Sequence, residues 1–456
     1  MKTITITALL GLLAQPLLAQ DHQHMHMPEK TSMADTAMHK TDDEGMSHSL
    51  IIKHEMPTMS HAYSRNLPMT RNGSGTGWLP DNAPMYGYMQ HKGKWMFMEH
   101  GNIFLRYNSQ DVFNKGSRGG SQWDAPNWFM GMGQRTVGRN GLFHFSAMMS
   151  LDRLVMGGSG YPLLFQSGET WQGRPLVDRQ HPHDLFAELS VGYTHRINKD
   201  MDVFGYLGYP GEPALGGTAF MHRPSAMYNP DAPLGHHWQD ATHITFGVAT
   251  VGFRYKQFKL EASNFTGREP DENRYNFDKP RFDSWSARLS YNPTANLALQ
   301  VSQGYIKSPE SLHPEENIYR TTASAMHVKK WRKGRMLNSS LIWGYNRVNA
   351  AHQEHSVLAE SAFTFGANAL YGKYEFVQKS SEELNFPESQ FGHDALFPVH
   401  ALTLGYSRNL LTIARTHLAA GLQGTVYAAD KRLNDIYGQT PVAAEVYLRI
   451  YPARMR

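Results

Sequence analysis

The sequence predicts an all-β fold, a transmembrane antiparallel up-and-down β-barrel of about sixteen strands behind a disordered N-terminal arm. Three observations predict it. Apolar and polar residues alternate in repeated segments of about ten residues, the signature of a strand with one face to lipid and one to water. The connections between these segments alternate between short turns and long loops. The composition is polar, aromatic and glycine-rich together, with mean hydropathy −0.50, 12% aromatic residues and 40 Gly in 456 positions. After residue 19 no run approaches the ~20 apolar residues of a spanning helix, which excludes a helical bundle. A net charge of +4 with only 18% charged residues leaves no nucleic-acid footprint. The absence of Cys excludes disulfides and thiolate metal sites, so His, Met and carboxylates are the strong ligands left, and 24 His and 24 Met stand out.

Residues 1–20 read as an export signal. Met1-Lys2 opens it, Ile4 to Ala14 is mostly apolar, and Leu17-Leu18-Ala19 offers a small-residue cleavage site, so that the mature chain begins at Gln20 or Asp21. A buried N-terminal helix is the alternative, but a polar stretch with few large aliphatics follows. That stretch, residues 21–70, reads as a periplasmic arm. It carries His22, His24, Met25, His26, Met27, Met33, Met38, His39, Met46, His48, His54, Met56, Met59 and His61, with too little apolar surface to offset its ordering entropy. Thioethers suit Cu(I) and imidazoles suit Cu(II), Zn(II) or Ni(II), so the mixture points to copper, with zinc, silver or nickel as alternatives. An ordinary polar linker is the bland reading. Residues 71–94 form a linker or plug-like segment. Its Gly73-Ser74-Gly75-Thr76-Gly77 lacks the Gly-Lys-Ser/Thr of a phosphate loop and reads as a turn.

The barrel occupies residues 95–456. In Trp285, Ala287, Leu289 and Tyr291 the apolar residues alternate with Ser284, Ser286, Arg288 and Ser290, and Asn292–Asn296 turns the chain into the next strand. Strands are expected near 95–108, 125–137, 141–152, 185–197, 201–209, 242–255, 257–267, 284–291, 297–306, 318–329, 335–348, 356–366, 369–379, 398–408, 412–427 and 441–451; fourteen or eighteen are the alternatives. Short turns take turns with long loops at 153–184, 210–241, 268–283 and 380–397, which puts both termini at the periplasmic end. Tyr107, Trp128, Tyr193, Tyr255, Tyr291, Tyr305 and Tyr345 fit aromatic girdles. Glu188, Arg254, Arg288, Arg320, Arg347, Glu360, Glu375, Arg415 and Arg449 should face the lumen. A soluble sandwich or propeller would need no such loop asymmetry.

The other His and Met gather in the long loops. His181, His183 and Asp184 place two imidazoles on one side of an extended segment beside a carboxylate. The next loop carries Met221, His222, Met227, His236, His237, Asp240 and His243. Both flank strands four to six, neighbours in an up-and-down barrel, so they can converge as an inward-folded constriction bearing a metal or substrate site. Hydrogen-bonded loop histidines are the bland alternative. Met85, Met89, His91, Met96, Met98, His100, His393, Asp394 and His400 are further candidates; Asp271, Glu272, Asp278 and Asp283 read as solvated loop charge, with a Ca²⁺ rim as the alternative.

Five blocks in this region resemble a family of bacterial outer-membrane barrel proteins of unassigned function: Asp178–Phe186, Gly211–Gly216, Phe220–Met227, His236–Gly247 and Gly267–Asp271. This resemblance spans roughly residues 70–330. In organisation and composition, a Met/His-rich arm before a barrel, the chain also resembles copper-resistance protein B. That likeness implies copper handling at the outer membrane, in contact with lipid and with periplasmic metal-handling proteins. The expected function is a barrel that binds and helps handle or export copper or another soft or borderline ion, and not an enzyme. An outer-membrane lipid hydrolase and a generic porin are the alternatives; no Gly-x-Ser-x-Gly elbow supports the first, and the second leaves the Met/His excess unexplained.

Overall fold

The computed structural model describes residues 59–349, 352–392 and 395–455; the export signal, the arm through Met56 and His393-Asp394 lie outside them. Sixteen staves form a closed antiparallel barrel. They are β1 (Trp95–Gln110), β2 (Gly120–Asp124 continued by Asn127–Val137), β3 (Gly141–Met149), β4 (Phe186–Arg196), β5 (Met201–Gly208), β6 (Val248–Tyr255), β7 (Phe258–Phe265) and β8 (Ser284–Thr294). Then come β9 (Leu297–Lys307), β10 (Asn317–Lys330), β11 (Met336–Arg347), β12 (Gln353–Phe365), β13 (Asn368–Ser380), β14 (Leu396–Ile413), β15 (Thr416–Ala429) and β16 (Val442–Pro452). Each pairs with its sequence neighbour, and β16 closes on β1 with Ala444 opposite Ser109 and Ile450 opposite Ile103. A short strand, Tyr88–Lys92, prolongs that seam along the start of β1.

The wall is inverted relative to a soluble protein. Leu207, Val251, Leu260, Leu404 and Leu422 are 55–67% exposed on the outside, while Arg106, Arg254, Lys259, Glu261 and Arg288 are at most 3% exposed on the inside. Outward Leu and Val with inward charge is the arrangement that lipid outside and a polar lumen require, and Tyr107, Tyr193 and Tyr255 stand on the outer face. The chain is a transmembrane-type barrel. No helix among the described residues is long and apolar enough to cross a membrane.

Several expectations need correction. Trp128 shares inward parity with Met130 and Met132, so it packs in the lumen and is no girdle residue. Arg347 shares outward parity with Leu341 and lies over the Tyr319 ring. Arg415 sits in the exposed two-residue turn between β14 and β15, where Ala414 and Arg415 take φ of 47° and 64°. Strand six begins at Val248, because Thr242–Gly247 belongs to the loop before it. The long loop after β3 contains a hairpin of its own, Tyr161–Trp171 with Arg174–Gln180.

The hairpin Tyr161–Trp171 with Arg174–Gln180 packs on inward wall residues, with Leu164 N donating to Gln110 of β1 and Lys379 of β13 to Ser167, and two longer segments fill the rest of the lumen. Residues 59–87 pack at the turn end: Ser64 donates to Asp202 (2.6 Å), Arg71 to Gln257 (2.7 Å), and Tyr63 lies 4.9 Å from the Phe204 ring. The loop between β5 and β6, residues 209–247, folds inward and ties itself to wall after wall. Ala214 N donates to Ser263 of β7 (2.8 Å), Gly216 N to Ser302 of β9 (2.9 Å), and Arg223 pairs with Glu360 of β12 (2.7 Å). Further on, Arg106 of β1 holds Asp231 (2.6 Å), and Leu234 N donates to Glu375 of β13 (2.7 Å). Most of this loop is buried.

Candidate metal centre

The inward loop delivers three imidazoles to one place. A single turn, His236–Gln239, followed by the 3₁₀ turn Ala241–His243, carries His236, His237 and His243; the end of the Arg174–Gln180 strand delivers His181 and His183 from the neighbouring loop. All five are at most 8% exposed. Ring centres lie 5.0 Å apart for His236 and His243, 5.3 Å for His236 and His237, 5.6 Å for His183 and His243, and 5.9 Å for His181 and His237. Phe220 packs against His183, His236 and His243 at 5.5–6.3 Å and closes one side.

Each ring is held by its Nδ1. His183 Nδ1 donates to Asp152 (2.7 Å), His236 to Asp240 (2.5 Å), His237 to Glu269 (3.2 Å), and His243 to the Asp240 carbonyl (2.8 Å). His181 Nδ1 lies 3.2 Å from the Pro182 carbonyl and 3.3 Å from Glu169. Oxygen acceptors at Nδ1 put the proton there and leave Nε2 with a free lone pair. The Nε2 atoms of His181, His183, His237 and His243 are buried without a partner. A buried unpaired polar atom costs about 1–3 kcal/mol, and this cluster carries four.

Oriented imidazole with carboxylate or carbonyl behind it is the arrangement of metal-bound histidine. Two rings sharing one ion through nitrogens at about 2.0–2.1 Å have centres about 5 Å apart, close to the separations here. Among the described residues no set of three or more His, Asp or Glu is closed on an ion position as it stands, so ligation requires the rings to move together. Burial, with Arg274 next, holds His181 well below the usual imidazole range; burial and the neighbouring His236 do the same for His243. His237 is also buried, but Glu269 more than offsets this and raises it. Asp240 is held below the ordinary carboxylate range despite burial, because His236 and Arg223 face it.

A cavity of about 1150 Å³ opens beside the cluster at the loop end. His237, Glu169 and Glu269 belong to both. Eleven carboxylates line it against four Lys or Arg, so it favours cations. Burial, with the negative Glu269 beside it, pushes Glu310 up to about 8.

The structure thus brings His181, His183, His236, His237, Asp240 and His243 together, with Asp240 acting behind the rings. Asp184 is drawn away into an ion pair with Arg274 (3.2 Å). Met221 and His222 lie elsewhere, beside Trp128. Of the arm residues, Met59 and His61 are buried; the others lie outside the described residues. Asp271 and Asp278 hold loop backbone, Glu272 caps the hairpin at Gln172 and Gly173, and they form no Ca²⁺ rim set. Sequence reasoning missed Asp152 and Glu169, which carry no local signal, and recorded Glu269 and Phe220 only within blocks.

No family model and no curated protein sequence matches the chain. Solved structures similar to it are membrane barrels. A loop-deletion mutant of OmpT, an outer-membrane protein of Vibrio cholerae, is 8% identical, with 78% of this chain and 99% of that one covered at a TM-score of 0.44. An anion-selective porin from Comamonas acidovorans is 11% identical over 78% and 99% at 0.45. Salmonella typhi OmpF in complex with daunomycin is 9% identical over 79% and 100% at 0.46.

Proposed function

We propose that this protein is a bacterial outer-membrane barrel whose lumen captures a borderline transition-metal cation, copper foremost, and passes or holds it as part of metal handling. The observation that carries the reading is the set of buried imidazoles with Nδ1 fixed by oxygen and Nε2 bare. The acidic vestibule supports it, since it would concentrate cations at the mouth of the cluster. The outward belt of Leu and Val supports the membrane placement, and the Met/His composition of residues 21–61 supports copper.

The chain's own residues would do the following. The vestibule carboxylates would draw the hydrated cation in, Glu269 and Glu169 standing between vestibule and cluster, and the unpaired Nε2 atoms of His181, His183, His237 and His243 would replace its water. Asp152, Asp240 and Glu269 keep the rings in the ligating tautomer. A generic diffusion pore accounts for the barrel but leaves unexplained the imidazoles that a loop tied across the lumen from β7 to β13 carries. A hydrolase fits poorly, because the Nδ1 atoms are held by carboxylates and carbonyls, and no hydroxyl pairs with the bare Nε2 atoms.

The test is titration of the purified protein and of His181→Ala/His236→Ala with Cu(II), Zn(II) and Ni(II), paired with a copper-tolerance assay. The double variant should lose one high-affinity divalent equivalent. Equal isotherms and equal tolerance would make the cluster purely structural.

A further inference from the structure

A second donor set lies on the other side of Phe220 and is built of sulfur. Three neighbouring staves turn methionines inward: Met96 and Met98 from β1, Met130 and Met132 from β2, Met148 from β3. The register stacks them, with Met98 opposite Met132 and Met130 opposite both His100 and Met148. Met59, Met69, Met85, Met89, Met221 and Met455 pack onto the same patch, so that only Ala187, Ile244 and Trp128 complete it. Elsewhere the lumen fillers meet the wall mainly through Leu, Ile, Phe, Val and Ala, as Leu215 does with Phe265 and Ile306, or Leu234 with Val377, and where Leu79 and Ala83 pack on Met326 and Met336 the methionines are two among six. Apolar packing alone therefore does not account for a patch made almost wholly of thioethers.

Imidazoles stand at this patch with nitrogens unpaired. His100 and His222 are 5.7 Å apart, both against the Trp128 ring at 5.1 and 4.9 Å. The Nε2 of His100 is buried without a partner. A cavity of about 100 Å³ lies among Met98, His100, Trp128, Met130, Met221 and His222. No carboxylate lines it; Arg223 and Arg449 are its charged members, the first neutralised by Asp240 and Glu360. A hard or divalent ion has nothing there to balance it. A soft monovalent ion bonds to thioether and neutral imidazole without needing a countercharge, and an indole face adds attraction.

We propose that this methionine-lined pocket is a binding site for a soft monovalent cation, Cu(I) or Ag(I), ligated by thioethers of Met98, Met130, Met132 or Met221 with His100 or His222. The site is separate from the five-histidine cluster and does not depend on that cluster binding a metal.

The experiment uses Ag(I), which is redox-inert, on the purified full-length protein by equilibrium dialysis. Met98→Leu/Met130→Leu/Met132→Leu nearly conserves volume and should leave the fold intact, checked by heat-modifiable gel mobility. It should bind one Ag(I) equivalent fewer than wild type, or bind it at least tenfold more weakly, with its Zn(II) isotherm unchanged. The arm contributes equally to both proteins and cancels in the comparison. His181→Ala/His236→Ala should show the reverse, losing divalent binding and keeping Ag(I), so failure of either site is read separately. His100→Leu/His222→Leu is the second variant and should lose the same Ag(I) equivalent. An Ag(I) isotherm unchanged from wild type in the folded triple variant, or in the histidine pair should the triple not fold, makes the patch a packing surface and overturns the proposal.

Discussion

Arg223 is the anchor of the inward loop, and Arg223→Leu should release it. The guanidinium is 1% exposed, 2.9 Å from Asp240 on the same loop and 2.7 Å from Glu360 on β12, and it also donates to the Thr218 carbonyl at 3.0 Å. Removing it leaves two buried carboxylates facing each other without a cation. Breaking one partner out of a buried ion pair costs about 3–5 kcal/mol, which is about 10²·²–10³·⁷ in the ratio of docked to undocked loop at about 1.36 kcal/mol per decade. The ladder of sixteen staves does not run through Arg223, so the cost falls on loop docking and not on barrel closure. The assay is single-channel conductance in planar bilayers. Wild type should conduct little, and the variant should show long open events. Arg223→Leu/Glu360→Leu should recover part of the closure, since one stranded charge is gone. Heat-modifiable mobility equal to wild type with conductance also equal to wild type would refute the assignment of this pair as the loop's anchor.

The remaining predictions follow from the same contacts. Glu269→Gln and Asp152→Asn should each weaken Cu(II) binding about 10–100-fold while leaving the barrel folded, because each removes the oxygen that orients an imidazole; isothermal titration reads it. Metal capture by stopped flow should slow steeply between low and physiological salt, since the vestibule's excess carboxylates act over about a Debye length; a rate flat in salt would detach the vestibule from capture. Deletion of residues 21–56 should lower copper stoichiometry while gel mobility of the barrel is unchanged. Labelling on intact cells should reach the long loops, for example at Asn273 or His313, and spare the Asn292–Asn296 turn; the opposite pattern inverts the sidedness.

The barrel was legible because its pattern is strictly local. In β8 the alternation of Trp285 and Leu289 with Ser286 and Arg288 states which face meets lipid, and the register of β8 with β9 follows from the short turn between them. Errors came where local pattern meets a tertiary choice. Trp128 looked like a girdle residue by type, but inward parity with Met130 puts it in the lumen. Arg347 is a charge at a strand end, where the rim tolerates it outside. The site was half legible. Doubled histidines two or one residues apart in neighbouring loops announced themselves, and their convergence followed from adjacency of staves. The supporting oxygens did not: Asp152 and Glu169 lie well upstream in the same loop as the histidines they support, Glu269 lies in the loop after β7, and no local pattern marks their role.

The blocks that resemble a family fall almost entirely on the lumen side of the molecule. Asp178–Phe186 and His236–Gly247 carry the imidazoles, Gly267–Asp271 brings Glu269 behind His237, and Phe220–Met227 supplies both the Arg223 anchor and the divider between the two donor sets. That divider is one 3₁₀ turn, Phe220–His222. Its first side chain packs against His183, His236 and His243, and its last packs on Trp128 and His100. The three consecutive residues Phe220, Met221 and His222 therefore face two chemistries at once. An ion moving from the loop end toward the turn end would meet oxygen in the vestibule, nitrogen at the cluster and sulfur beyond Phe220, an order of increasing softness. On the proposed reading, such an order would hold borderline ions at the imidazole cluster and would favour onward passage only for ions that thioethers accept. Copper in its two oxidation states would suit both the imidazole and the thioether sets, whereas zinc and nickel would suit the imidazoles alone.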